Sequence, residues 1–129
     1  MNRVQVVHDN FLQRVAARDF PPRTSTLTPA EVGLDSDALA ALFQAQALSR
    51  HLDRAARDLQ ACGEGFYTIG SSGHEGMAAV AAALRATDMA FLHYRDAAFQ
   101  IARAAQVPGQ DPLGDMLLSF VASSDDPIS

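Results

Sequence analysis

Thr87-Asp88-Met89-Ala90-Phe91-Leu92-His93-Tyr94-Arg95-Asp96 is the stretch on which the fold turns. Thr87-Asp88 reads as a turn, and Met89 to Leu92 is a short continuous apolar run, the pattern of a strand buried on both faces. Asp96 stands where a side chain could cap a helix running to about Ala105. If the run is a strand, Tyr94 and Arg95 sit at its carboxyl end beside a helix start, the edge at which ligands bind in open α/β sheets. A helix amino terminus offers free N–H groups and a partial positive charge, which suit a phosphate. Arginine adds a planar fork of donors and tyrosine one hydroxyl on a stiff ring. The local chemistry reads as an anion clamp; the plainer alternative is a surface arginine beside a packed tyrosine, and spacing alone favours the plainer one, because such neighbours are common.

Upstream lies GEGFYTIGSSGHEG, residues 63–76, a glycine-rich connection. Ser72 and Glu75 have the S-x-x-E spacing of a capping box, which places His74 in a first helical turn. The alanine-rich helix this starts runs to about Arg85, and its small side chains point to close, buried packing. His74-Glu75 does not extend to H-E-x-x-H, because residue 78 is alanine, so that zinc motif is absent and His74 reads as a structural or solvated histidine. The glycines match neither G-x-G-x-x-G nor a P-loop, and no serine lies in G-x-S-x-G.

Further upstream a long helix spans about 35–62, with Leu39, Leu42, Ala45, Leu48, Leu52, Ala55 and Leu59 three or four apart. Arg50, Asp53, Arg54, Arg57 and Asp58 read as its solvated face with local ion pairs. Gly63 stands where a left-handed cap is expected. Cys62, the one cysteine, reads as a small buried residue at the helix end, and a lone thiol fits a reducing compartment. Residues 1 to about 19 form an amphipathic helix with Val4, Val7, Phe11 and Val15 on one face, ended by Phe20-Pro21-Pro22. Downstream, Val107-Pro108-Gly109 breaks the chain, and Asp111-Pro112 opens a last helix ending near Val121.

The 129 residues suffice for one modest domain. The net charge of −5 argues against a nucleic-acid surface. No apolar run approaches the ~20 residues a membrane span needs, and the start lacks a signal-peptide core. The expected location is the cytoplasm, with neither membrane nor nucleic acid as partner.

In order and spacing, the long helix with Arg50, Leu52 and Asp53, then GEGFYTIGSSGHEG, then the alanine-rich helix, then TDMAFLHYRD resemble the α chain of the thiamine-diphosphate-dependent 2-oxo acid dehydrogenases. The likeness is to the branched-chain type, as a separate α subunit or the α half of a fused chain, and covers about residues 35–125. It implies a helix-rich α/β fold: the amino-terminal part of a Rossmann-like thiamine-diphosphate-binding domain with one or two short parallel strands. Residues 1–34 would be an amino-terminal helix and linker, 35–125 the partial cofactor domain and 126–129 a frayed tail.

The resemblance also implies that Tyr94 and Arg95 contact the cofactor's diphosphate. It implies that the connection carrying Tyr67, Ile69, Ser71 and His74 borders the substrate channel. Tyr67, Thr68 and Ile69 suit a branched aliphatic 2-oxo acid, while pyruvate and acetoin dehydrogenases are the related alternatives. The family's Gly-Asp-Gly…Asn magnesium site is not matched by Leu113-Gly114-Asp115-Met116. No catalytic residue and no metal ligand is therefore assigned, and the chain by itself is expected to be inactive. Implied partners are a β subunit or β half and a lipoyl-bearing acyltransferase, in a homo- or hetero-oligomer. A truncated sheet would leave an open edge and apolar faces that favour self-association. A helical binding or assembly module is the competing reading.

Overall fold

The computed structural model describes residues 3–22, 24–68 and 70–127, apart from the side chain of Val4. The chain divides into two compact units, Met1–Gly33 and Leu34–Ser129. In the first, α1 spans Arg3–Ala17. It stops before the prolines, where Arg18 adopts a left-handed conformation (φ 55) and the Asp19 N–H bonds back to the Arg14 carbonyl. Thr28 donates twice to Glu31 at the start of a short 3-10 turn, Ala30–Val32.

Among its described residues the second unit has four α-helices: α2 (Ser36–Ala61), α3 (Met77–Ala83), α4 (Ala97–Ala104) and α5 (Pro112–Phe120). Each start has a local cause. Asp35 accepts the Ala38 N–H at 2.8 Å to cap α2, and Asp111 accepts the Gly114 N–H ahead of Pro112. Gly63, at φ 79, turns the chain out of α2, a conformation costly to any residue with a Cβ. Two residues on, a Cβ at Gly65 would lie 2.9 Å from the Gln60 backbone nitrogen, so glycine lets the chain fold back on the helix end.

The core is small and rich in alanine. Ala45, Leu52 and Ala56 of α2 meet Ala78 of α3, Ala98 and Ile101 of α4, and Phe120 of α5. Alanine faces let helix axes approach closely, and α4 packs on both α2 and α3. The buried face of α2 carries Ala45, Ser49, Leu52, Asp53 and Ala56. It is thus rotated from the leucine stripe read in the sequence: Leu39 is exposed and Leu42 and Leu48 only partly buried.

No strand occurs among the described residues, so the expected α/β, Rossmann-like architecture with parallel strands is overturned: the second unit is helices joined by turns and loops. Residues 89–92 are extended loop, with Met89 83% and Phe91 94% exposed. A buried strand needs hydrogen-bonded neighbours and a cover on each face. Here, among the described residues, the run is bracketed by the Arg85–Asp88 turn, where Arg103 also donates to the Ala86 and Asp88 carbonyls, and by the His93–Asp96 turn, with no strand alongside. The expected open sheet edge goes with the sheet, while exposed apolar side chains remain.

Three smaller expectations also change. The alanine-rich helix starts only at Met77, with Gly76 at its cap, so His74 lies in a turn ahead of it. Glu75 accepts the Gly73 N–H instead of completing a capping box with Ser72. Cys62 is at the helix end but exposed. Among the described residues no helix is long and apolar enough to cross a membrane.

Because Ala78 and Ala98 are fully buried where α3 and α4 meet, enlarging either should overpack the contact. Ala98→Leu is expected to cost about 1–3 kcal/mol in urea unfolding, and an unchanged midpoint would show that the interface is loose.

Candidate functional site

The site starts from a carboxylate on the buried face of α2. Asp53 is 4% exposed. Its oxygens accept the Ser71 N–H at 3.0 and 2.9 Å and the Ser71 hydroxyl at 3.0 Å, while Arg50 donates at 2.6 Å. A buried carboxylate requires such partners, and this one pins the middle of the glycine-rich connection to α2. Arg50 also reaches Glu75 at 3.4 Å, a second tie for the same loop. Towards its start the loop is fixed to the end of α5. The Phe66 N–H donates to the Phe120 carbonyl, the Tyr67 and Ser119 hydroxyls lie 2.7 Å apart, and the Tyr67 ring meets Phe120 edge-on.

The loop so held presents the Gly70 carbonyl, which accepts Arg95 Nη1 at 2.7 Å. Arg95 Nη2 donates to the Tyr94 hydroxyl oxygen at 3.1 Å, and the guanidinium carbon lies 5.0 Å from the centre of the Tyr94 ring. The phenol therefore accepts from arginine and keeps its own proton to donate. Two of the five guanidinium N–H groups are used in these bonds, which leaves three for a ligand.

Asp96 shapes the turn that carries the pair. It is 5% exposed and accepts the His93 N–H at 2.9 Å and His74 Nδ1 at 2.8 Å. The expected capping bond to α4 is absent because the carboxylate is committed to these two donors. Burial alone would raise its pKa; the bonds from His74 and His93 outweigh that and hold it below the usual aspartate value. As an ionised acceptor it requires the proton of His74 on Nδ1.

The two buried carboxylates near the pair are thus taken up elsewhere. Among the described residues Arg95 makes no ion pair, so its charge is open to an incoming anion. Tyr94 and Arg95 line one side of a cleft of about 720 Å³, the size of a small-molecule site. Leu52, Phe99, Met116 and Phe120 supply apolar wall, and Asp115 adds a carboxylate.

Of the residues singled out in the sequence, Tyr67, Ser71, Tyr94 and Arg95 share this cleft. His74 is not part of its lining and packs against Asp96 and His93 instead. Ile69 lies outside the described residues. Sequence reading, in which Asp53 belongs to the solvated face, misses its buried role and the bond between the Tyr67 and Ser119 hydroxyls. One signal was present: Ala45, Ser49, Asp53 and Ala56 recur at helical spacing, a face of small residues that Asp53 shares. Among the described residues no three His, Cys, Asp or Glu side chains gather to hold a metal. No protein-family model, curated protein or solved structure matches the chain.

The lowered pKa of Asp96 fixes the sign of an acid effect. Its contribution is complete above the ordinary aspartate value and is lost as pH falls through the lower folded value. Urea midpoints measured from about pH 6 down to about pH 2 should therefore fall more steeply for the natural chain than for Asp96→Asn. Parallel curves would show that the Asp96 bonds do not form in solution.

Proposed function

We propose that this chain is the diphosphate-holding segment of the α chain of a thiamine-diphosphate-dependent 2-oxo acid dehydrogenase of branched-chain type. The observation that carries the reading is the placement of the Tyr94 hydroxyl and the Arg95 guanidinium together at one cleft, ahead of α4, with no carboxylate neutralising the arginine. The order and spacing of the sequence segments supply the family.

The residues fit a diphosphate in number and kind of donor, and the cleft's volume and apolar wall suit the organic part of such a ligand. They do not fit its magnesium, because the described residues gather no ligand set, and no step is assigned to a metal. Bound thiamine diphosphate supplies the carbanion and electron sink that decarboxylate a 2-oxo acid before the acyl group passes to lipoyl.

This chain's own task is to bind and orient. Arg95 offsets phosphate charge, and Tyr94, polarised by the arginine it accepts from, donates one directed bond. Tyr67, Leu52 and Phe120 offer apolar surface to a branched aliphatic group and keep water from it. A β chain and a lipoyl-bearing acyltransferase complete the reaction, and the chain alone is inactive towards 2-oxo acids.

The helical architecture gives some support to a second reading, a non-catalytic binding or assembly module. Calorimetry on the full chain separates the two. Thiamine diphosphate should bind more tightly than thiamine, which lacks the anion. Arg95→Ala should weaken it about 10- to 100-fold, the worth of a charge-assisted bond. Equal heats for the two ligands, or an Arg95→Ala chain that binds as the natural one does, would favour the module.

A further inference from the structure

The ring of His74 has no place in the cleft, yet it is more tightly placed than its partial exposure requires. Nδ1 donates to Asp96 at 2.8 Å. Its plane stacks on His93, with centroids 5.3 Å apart and 21° between planes. His93 lies 3.9 Å from the Tyr94 ring, and the Arg95 guanidinium covers that ring in turn. The result is a column running His74, His93, Tyr94, Arg95. Asp96 anchors its first ring and the Gly70 carbonyl its last group. Asp96 also accepts the His93 N–H and so shapes the turn from which Tyr94 and Arg95 project.

We propose that His74 is a positioning residue: through Asp96 and the ring column it sets where the Tyr94 phenol and the Arg95 guanidinium stand. It touches no ligand itself. The physical case is that Tyr94 is 61% exposed, so packing around it does little to select a rotamer. An exposed tyrosine would sample several orientations unless a neighbour restricted it. The neighbours that do so are His93 and Arg95, and His93 in turn stacks on His74. The charged and titratable groups around His74 are Asp96 and His93 in direct contact, Arg95 at the far end of the column, and the Arg50–Glu75 and Arg50–Asp53 pairs that hold its loop on α2.

The geometric role stands apart from the nature of the ligand, while its effect on affinity rests on the anion-site reading, so the test has two readouts. The chain has two tyrosines, Tyr67 and Tyr94, and their ring signals can be followed by NMR on the full chain. In His74→Ala the Tyr94 ring signals should shift and broaden while those of Tyr67, held by Ser119 and Phe120, stay in place. His74→Gln, whose amide can still donate to Asp96, should restore part of the natural pattern; it also serves if the alanine variant does not fold. Inorganic pyrophosphate, titrated by calorimetry, should bind His74→Ala about tenfold more weakly, the scale seen when an orienting partner is removed. Tyr94 signals unmoved in both variants would overturn the positioning role, whatever pyrophosphate does. Shifted Tyr94 signals in a chain that never binds pyrophosphate would keep that role and remove the anion reading.

Discussion

A carboxylate placed on the buried face of a helix must find donors or lose its charge, and for Asp53 those donors are Arg50 and Ser71. That requirement organises the second unit. The connection between α2 and α3 has no regular structure to hold it, and its few apolar side chains include the exposed Phe66. Bonded at Ser71, it is fixed to the rigid centre of α2. Gly70 is then a fixed acceptor, and Arg95 is located by it. Were Asp53 on the solvent face, as its neighbours Arg54 and Asp58 are, the loop would be free and the arginine with it.

Asp96 repeats the device in the turn ahead of α4. Both acids are buried, each accepts a backbone N–H and side-chain donors (Arg50 and the Ser71 hydroxyl for Asp53, His74 for Asp96), and neither pairs with Arg95. The electrostatic consequence matters more than the structural one. A surface ion pair would contribute little to stability and would occupy the guanidinium. Committing each acid to other donors leaves the Arg95 guanidinium without an ion pair among the described residues, at a cleft with aromatic and aliphatic walls that Arg103 and Asp115 also line. Such a surface suits an anion attached to an apolar body.

The helices show how far local signals reach. Asp35 and Gly63 bracket α2, and Asp111-Pro112 opens α5, each through a bond or backbone angle that needs only the neighbouring residues. Tyr94 and Arg95 could be singled out because adjacent residues before a helix start are close in space whatever the rest of the chain does. Met89 to Leu92 shows the opposite case. A run of apolar residues records that burial would be favourable; it does not record whether a cover exists, and among the described residues none is hydrogen-bonded alongside it. His74 was misplaced for a related reason. Glu75 has two possible donors, and the Gly73 N–H, with Arg50 reaching in from α2, takes it in place of the capping geometry.

From the amino-acid order alone came the number and limits of the long helices, the glycine-rich break, and the neighbouring phenol and guanidinium, because capping, helical periodicity and chain adjacency act over a few residues. Only the folded chain decided that α2 turns its small residues and Asp53 inward, that among the described residues no strand pairs with 89–92, and that His74 meets Asp96 across 22 positions. Those outcomes depend on which surfaces compete for burial and which donors reach a buried acid, and both are set by helix packing.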